Sequence, residues 1–286
     1  MMPSKRPLVG VLGGVGPMAT AYFLQRLITL TDAQLDQDHV DVICFSHAGI
    51  PDRTAYVMGK SSANPGPVLA ADARRLTAFG ADFLVMPCNT AHTFTQQVLD
   101  VVGPDHFVSI VDESVAAALA IVRPSPACDA GAKKAVDALA AEAGAAGGAG
   151  AVGVATGPVP VGSVAAGSPV GSVGLLATQG TVSSQVYHAA FAQHGIEVLA
   201  PEPADQQVIN TIIYEQVKAG IPADALALCQ VAERLVARGA GVVLLACTEL
   251  SVAAVDHGLQ ARAPFLDTMD ALARATITRA GARLRD

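Results

Sequence analysis

The cysteines never pair along the chain: there are five of them, an odd number, and no two form a CxxC. That argues against a closed disulfide framework and points to a reducing compartment, so a cytoplasmic protein is expected. Unbroken apolar runs are missing as well. Hydrophobic residues make up 51% of the sequence, yet Gly and Pro interrupt every long stretch, so no spanning helix can be drawn and no membrane partner is expected. Basic clusters are also absent. The Lys and Arg are dispersed, and a net charge of -7 with a pI near 5.4 gives no reason to expect nucleic acid. A small anionic substrate would have to find local cations.

Charge disappears from one long stretch, with no Asp, Glu, Lys or Arg from Ala143 to Ile196. Much of this lies in an Ala/Gly/Pro-rich segment at about 124–171 that has no aromatic residue. Such a composition buries too little side chain to offset ordering entropy, and a flexible insertion is expected there, with "AKKAVDALAAEA" able to hold a short helix. Cys128 falls inside it and reads as incidental.

What is present is a repeated rhythm. "LVGVLG", "MATAYFLQRLITLTDA", "VDVICFS", "GPVLAADARRLTAFG" and "ADFLVMP" alternate short apolar runs with helical patterns, as in a parallel sheet with helical crossovers. The N-terminus mimics a signal peptide, but the glycines of "PLVGVLGGVGP" favour a buried strand entering a Gly-rich turn. The rhythm restarts at "VGLLATQG" and runs to "GVVLLACTEL", so the fold class is α/β with two similar halves. Gly10 precedes Cys88 by 78 residues and Val173 precedes Cys247 by 74, which suggests a duplication with one strand-end thiol in each half. Ligands of open parallel sheets sit outside the carboxyl ends of the strands, so facing halves would enclose a cleft with a thiol on either wall.

A thiol at a strand end, just ahead of a helix, has its anion stabilised by backbone N–H groups and the helix dipole. One such group suits a nucleophile, a metal ligand or a redox centre. Two on opposite walls suit stereoinversion, in which a proton leaves one face of a carbon and another arrives on the opposite face. Donors must then stabilise the enediolate, and the Asn89, Thr90 and Thr248 side chains with nearby backbone N–H groups are the candidates. Taken singly, a cysteine ending a buried strand is more often a small core residue than a base, the reading given to Cys44 and Cys229, and it is the paired context that favours chemistry. His92, four residues after Cys88, lacks the further ligands a metal site needs and reads as a hydrogen-bonding residue at a helix start. Arg53 in "IPDRTAYVMGK" offers a bidentate fork to a carboxylate, unless Asp52 occupies it. Lys218 in "YEQVKAG" reads, by itself, as a surface cation near a helix end.

Together "GVLGGVGPMATA", "IPDRTAYVMGK", "GADFLVMPCNTAH", "GLLATQGTVSSQVY", "YEQVKAG", "GAGVVLLACTELS" and "PFLDTMDA" resemble the pyridoxal-independent aspartate/glutamate racemase family, its aspartate-specific branch above all. The resemblance implies two pseudo-symmetric α/β domains with the active site in the cleft between them. It implies Cys88 and Cys247 as the acid/base pair and Arg53 and Lys218 as readers of the side-chain carboxylate. Asn89, Thr90, Thr248 and Thr181 then surround the substrate. It further implies aspartate as the small-molecule substrate, no cofactor, no metal and a homodimer. The C-terminal strand, turn and helix would pack back onto the first half, giving one domain over 7–111 plus about 262–286 and a second over 112–261. "CFSHAG" departs from the family pattern, and Ser46 and His47 are expected at the pocket rim. Broader racemases, hydantoin racemases, a non-enzymatic dicarboxylate binder and a thiol redox enzyme are the competing readings.

Overall fold

The structure is a computed structural model that describes residues 6–122, 171–259 and 264–285. The expected insertion at about 124–171 therefore lies, apart from Gly171, outside the described residues, as does Cys128.

The first half winds a parallel sheet from β1 (Leu8–Gly13), β2 (Asp41–Ser46), β3 (Phe83–Val85) and β4 (Phe107–Val108) in the spatial order β2-β1-β3-β4. The second half builds β5 (Ser172–Ala177), β6 (Val198–Leu199), β7 (Ala240–Ala246) and β8 (Phe265–Asp267) in the equivalent order, β6-β5-β7-β8. The pairings between these strands are parallel. Strands covered on both faces read as continuous apolar runs, which is why "LVGVLG" and "VVLLA" show no alternation.

Helices α1 (Pro17–Leu30), α2 (Arg53–Val57), α3 (Gly66–Ala78), α4 (Thr95–Val102) and α5 (Ile110–Val122) belong to the first stretch of chain. After the insertion come α6 (Gln179–Ser184), α7 (Val186–Ala192), α8 (Pro203–Asn210), α9 (Ala225–Ala237), α10 (Thr248–Asp256) and α11 (Thr268–Arg279). No helix among the described residues is long and apolar enough to cross a membrane.

One apolar core crosses between the halves. It joins Val9, Val11 and Phe23 to Val173, Leu175, Tyr187, Phe191, Met269 and Leu272, with α11 lying against both α1 and α5. The sheets are thus fixed to each other by burial rather than by a loop alone.

The C-terminal segment divides instead of joining the first half as a block. β8 pairs with β7, matching Leu244 to Leu266, because "PFLD" offers an apolar strand to the open edge of the second sheet. α11 and the tail return to the first half, where Asp32 N–H donates to the Arg283 carbonyl and Arg285 N–H to that of Leu30.

Two glycines decide how the strand ends approach. Gly14 has φ +83°, and a side chain there would meet the His47 backbone at 2.3 Å, so the turn after β1 can press against the chain leaving β2. Gly180 lies against Thr54, where an added Cβ would be 2.7 Å from Oγ1 and 2.9 Å from Cα. That contact seats α2 of the first half on α6 of the second.

Candidate active site

In each sheet the strand order reverses between the first and third strand of its half, β1/β3 and β5/β7, and the carboxyl ends at such a point form the usual ligand crevice. The turns leaving these strands, together with α2 and the segment after α8, line a cavity of about 240 Å³. Pockets for drug-sized ligands start at about 300 Å³, so the cavity suits a smaller molecule.

Cys88, Asn89 and Thr90 enter from the end of β3, and Cys247, Thr248 and Glu249 from the end of β7. Arg53 comes from α2 and Lys218 from beyond α8. Thr181 does not line the cavity. Its hydroxyl lies 2.8 Å from that of Thr90 and 3.1 Å from that of Thr178, closing a buried triangle of hydroxyls behind the wall. Ser46 and His47 are also absent from the lining. The His47 ring instead contacts the buried Asp72 carboxylate, Nδ1 to Oδ2 2.7 Å, and Asp72 holds Arg75 with its other oxygen. This pull turns His47 toward α3.

The two thiols differ in setting. Cys247 is buried and occupies the position capping α10, so an anion there faces the positive end of a helix. Cys88 is only half-buried and precedes a 3₁₀ turn, Thr90–Phe94, with α4 starting later at Thr95. His92 explains the tighter turn. Its N–H bonds to the Asn89 carbonyl, and its Nδ1 donates to the Cys88 carbonyl at 2.8 Å, while Nε2 accepts from Ile110 N–H at 3.2 Å. Both ring nitrogens are therefore engaged with backbone. Burial lowers the imidazole pKa to about 4, so the ring is neutral and structural.

An ion pair stands beside Cys247. Cys247 Sγ donates to Glu249 Oε2 at 2.9 Å, and Lys218 Nζ lies 2.6 Å from Oε1 of the same carboxylate. Burial, then the Glu249 charge and hydrogen bond, push the Cys247 thiol well above its ordinary pKa despite Lys218. Burial alone would raise Glu249, but Lys218 and the thiol hydrogen bond prevail and hold it below the ordinary carboxyl value. Burial likewise works against Lys218, and Glu249 reverses it, leaving the ammonium above its usual range.

Local chain geometry delivers the cation. α8 runs into a π-helical turn, Thr211–Gln216, and then a 3₁₀ turn, Val217–Ala219, which bring Tyr214 and Lys218 to the cavity with Nζ 5.8 Å from the Tyr214 ring centre. Arg53 is held differently. Asp52 caps α2 by accepting Ala55 N–H at 2.7 Å and leaves the guanidinium to the Ile50 and Pro51 carbonyls, at 3.2 and 3.0 Å from Nη1. Arg53 itself lines the cavity, and its Nε is buried with no hydrogen-bond partner among the described residues.

Sequence reasoning passed over several participants. Tyr187 donates to Asn89 Oδ1 at 2.6 Å inside the core, which leaves the Asn89 NH₂ as the free, donating side. Its helical apolar context, "VYHAAF", gave no sign of that bond. Thr178 and Tyr214 were missed in the same way. Glu249 was visible two places after Cys247, but only the fold makes it a partner of both Cys247 and Lys218.

The sequence pattern of the Asp/Glu/Hydantoin racemase family matches residues 12–126 and 159–276. A broad-specificity amino-acid racemase of Bacillus subtilis (strain 168) is 24% identical over 280 residues, 95% of this chain and 97% of that protein. Among solved structures, the aspartate racemase of Picrophilus torridus superposes with a TM-score of 0.65 at 25% identity, covering 98% of this chain and 96% of that one. An aspartate racemase homologue from Pyrococcus horikoshii OT3 has the same fold, with a TM-score of 0.63 at 19% identity over 97% of this chain and 100% of its own.

Proposed function

The chain belongs to the Asp/Glu/hydantoin racemase family, and from that premise we propose that it interconverts L- and D-aspartate without a cofactor, Cys88 and Cys247 serving as the opposed acid and base. One sulfur, as thiolate, removes the α-proton while the other delivers a proton to the opposite face. The observation that carries this reading is that both thiols line one small cavity together with Arg53 and Lys218.

The α-proton of an amino acid is far less acidic than a thiol, so the intermediate enediolate needs donors already in place. Asn89 supports this role because Tyr187 occupies its oxygen and leaves its NH₂ as the donating side. Thr248 and the first N–H groups of α10 stand on the other wall. The buried hydroxyl triangle keeps Thr90 rigid. Arg53, which lines the cavity, is the donor for the distal carboxylate, with Lys218 as its partner once that cation leaves Glu249.

That last condition favours a second reading. While Lys218 stays on Glu249, Arg53 alone reads the side chain, and a wider range of amino acids fits, as the name of the Bacillus subtilis relative indicates for that protein. Chiral chromatography of aspartate, glutamate and alanine, each incubated with metal- and pyridoxal-free protein, separates the two. Aspartate turnover exceeding that of glutamate by about 100-fold in kcat/KM is expected, since one methylene displaces either the carboxylate or the α-carbon by about 1 Å, and alanine, with no distal carboxylate, should also be slow. Comparable rates on all three would favour the broad racemase, and no racemisation of any would remove the proposal.

A further inference from the structure

The start of α11 holds the chain on both sides of Cys247. Thr268 donates its hydroxyl to the Leu245 carbonyl at 2.9 Å, just before the thiol, and Asp267 Oδ1 accepts the Ser251 hydroxyl at 2.7 Å, just after it. Ser251 closes the first turn of α10, its N–H returning to the Cys247 carbonyl at 3.2 Å. The same Asp267 reaches the other half of the molecule. Its Oδ2 takes the Tyr22 hydroxyl of α1 at 3.2 Å, while Oδ1 also caps α11 by accepting Met269 N–H at 2.9 Å. Tyr22 stands one turn beyond Ala19, which lines the cavity together with Val15 and Gly16.

Resting on the racemase reading, we propose that Asp267 is a positioning residue for Cys247: it clasps the start of α10 to α1, and so sets where the second thiol stands relative to the cavity wall that the first half supplies. Docking of α11 on α1 does not depend on this carboxylate alone, because Arg26 forks onto Asp270 there at 2.6 and 2.7 Å. What Asp267 adds is the reach to Ser251. A carboxylate suits the task, since each oxygen accepts more than one hydrogen bond and the Tyr22 hydroxyl, Ser251 hydroxyl and Met269 N–H can all converge on it.

Stereoinversion is sensitive to such a link. The two sulfurs act on opposite faces of one carbon, so a shift of the α10 start by about 1 Å misplaces one base while the other stays, and a misplacement of that size costs on the order of 100-fold. Cys88 and Asn89 enter from the end of β3 in the other sheet, and Arg53 from α2. Loosening the clasp therefore acts on one face of the substrate more than on the other.

The test is α-hydrogen exchange in deuterated water, scored with and without inversion, for each enantiomer of the amino acid that the wild type turns over fastest. Ser251→Ala cuts the link to α10 and leaves the α11 cap in place. It should lower racemisation, and exchange of the enantiomer that Cys247 deprotonates, by about 30- to 100-fold, but exchange of the other enantiomer by less than about 10-fold. Cys88→Ser identifies the first enantiomer as the one that still exchanges. Asp267→Ala should show the same asymmetry, and Ser251→Ala keeps the test decisive if that variant folds poorly. Asp267→Asn retains an acceptor for Ser251 and should recover most of what Asp267→Ala loses. Tyr22→Phe combined with Ser251→Ala should cost less than the product of the single losses, because both act through one carboxylate. A merely structural role would shrink the folded fraction and lower racemisation and both exchanges alike. That result overturns the proposal, as does a Ser251→Ala protein indistinguishable from an active wild type, and either leaves the racemase reading standing. A wild type that racemises no amino acid removes that reading and the positioning role with it.

Discussion

Arg53→Ala separates what this side chain does for the fold from what it does for the substrate. The guanidinium makes two hydrogen bonds to carbonyls, to Ile50 and Pro51, while Nε is buried without a partner among the described residues. Each bond contributes about 0.5 to 1.5 kcal/mol, rising toward 3 for a charged donor, and an unsatisfied buried donor costs roughly 1 to 3. The two sides nearly cancel, so the substitution should change unfolding free energy by no more than about 1 kcal/mol. Turnover has no such compensation. Losing a charge-assisted bidentate contact to the distal carboxylate should remove about 1.5 to 3 kcal/mol, a drop in kcat/KM on aspartate of about 10- to 150-fold, with much less effect on alanine. Urea unfolding measures the first quantity and chiral chromatography the second. Equal losses on aspartate and alanine, or a destabilisation of several kcal/mol with turnover intact, would show that Arg53 supports the loop rather than reading the side chain.

Three further outcomes are expected. Tyr187→Phe leaves Asn89 Oδ1 buried without its donor and should cost about 1 to 3 kcal/mol in urea unfolding while lowering kcat more than it changes KM. Gly180→Ala forces α2 away from α6, since the new methyl would press on the Thr54 backbone, and KM for aspartate should rise several-fold with kcat less affected. Burial lifts the Asp267 carboxyl to about 6, so the folded protein keeps a proton that the unfolded chain releases near pH 4. Stability should therefore fall as pH rises across that window, by roughly 3 kcal/mol at most, and Asp267→Asn should flatten the curve measured by denaturant titration at fixed pH.

The α/β class and the restart of the pattern at "VGLLATQG" were legible because buried parallel strands leave continuous apolar runs and crossovers leave helical ones. The strand-end cysteines were legible for the same reason: each marks where an apolar run stops. β8 was harder to place, since three residues carry no information about which sheet edge they will meet. His47 was expected at the rim, but its partner Asp72 comes from a helix 25 residues on, and such a pairing leaves no mark in spacing. The Lys218 ion pair was hidden likewise, across 31 residues and a π-helical turn that periodicity does not reveal. Tyr187 and Asn89, 98 positions apart, meet only because the two halves share a core.

The two-thiol claim is tested most directly by α-hydrogen exchange of aspartate in deuterated water, followed by NMR and chiral chromatography for the wild type, Cys88→Ser and Cys247→Ser. The wild type should carry deuterium into both enantiomers as racemisation proceeds. Each serine variant should fold and lose racemisation, because a hydroxyl is too weakly acidic to replace the thiol at neutral pH. Racemisation at near-wild-type rate by either folded variant would contradict the account, as would a wild-type protein that leaves the α-hydrogen of aspartate untouched.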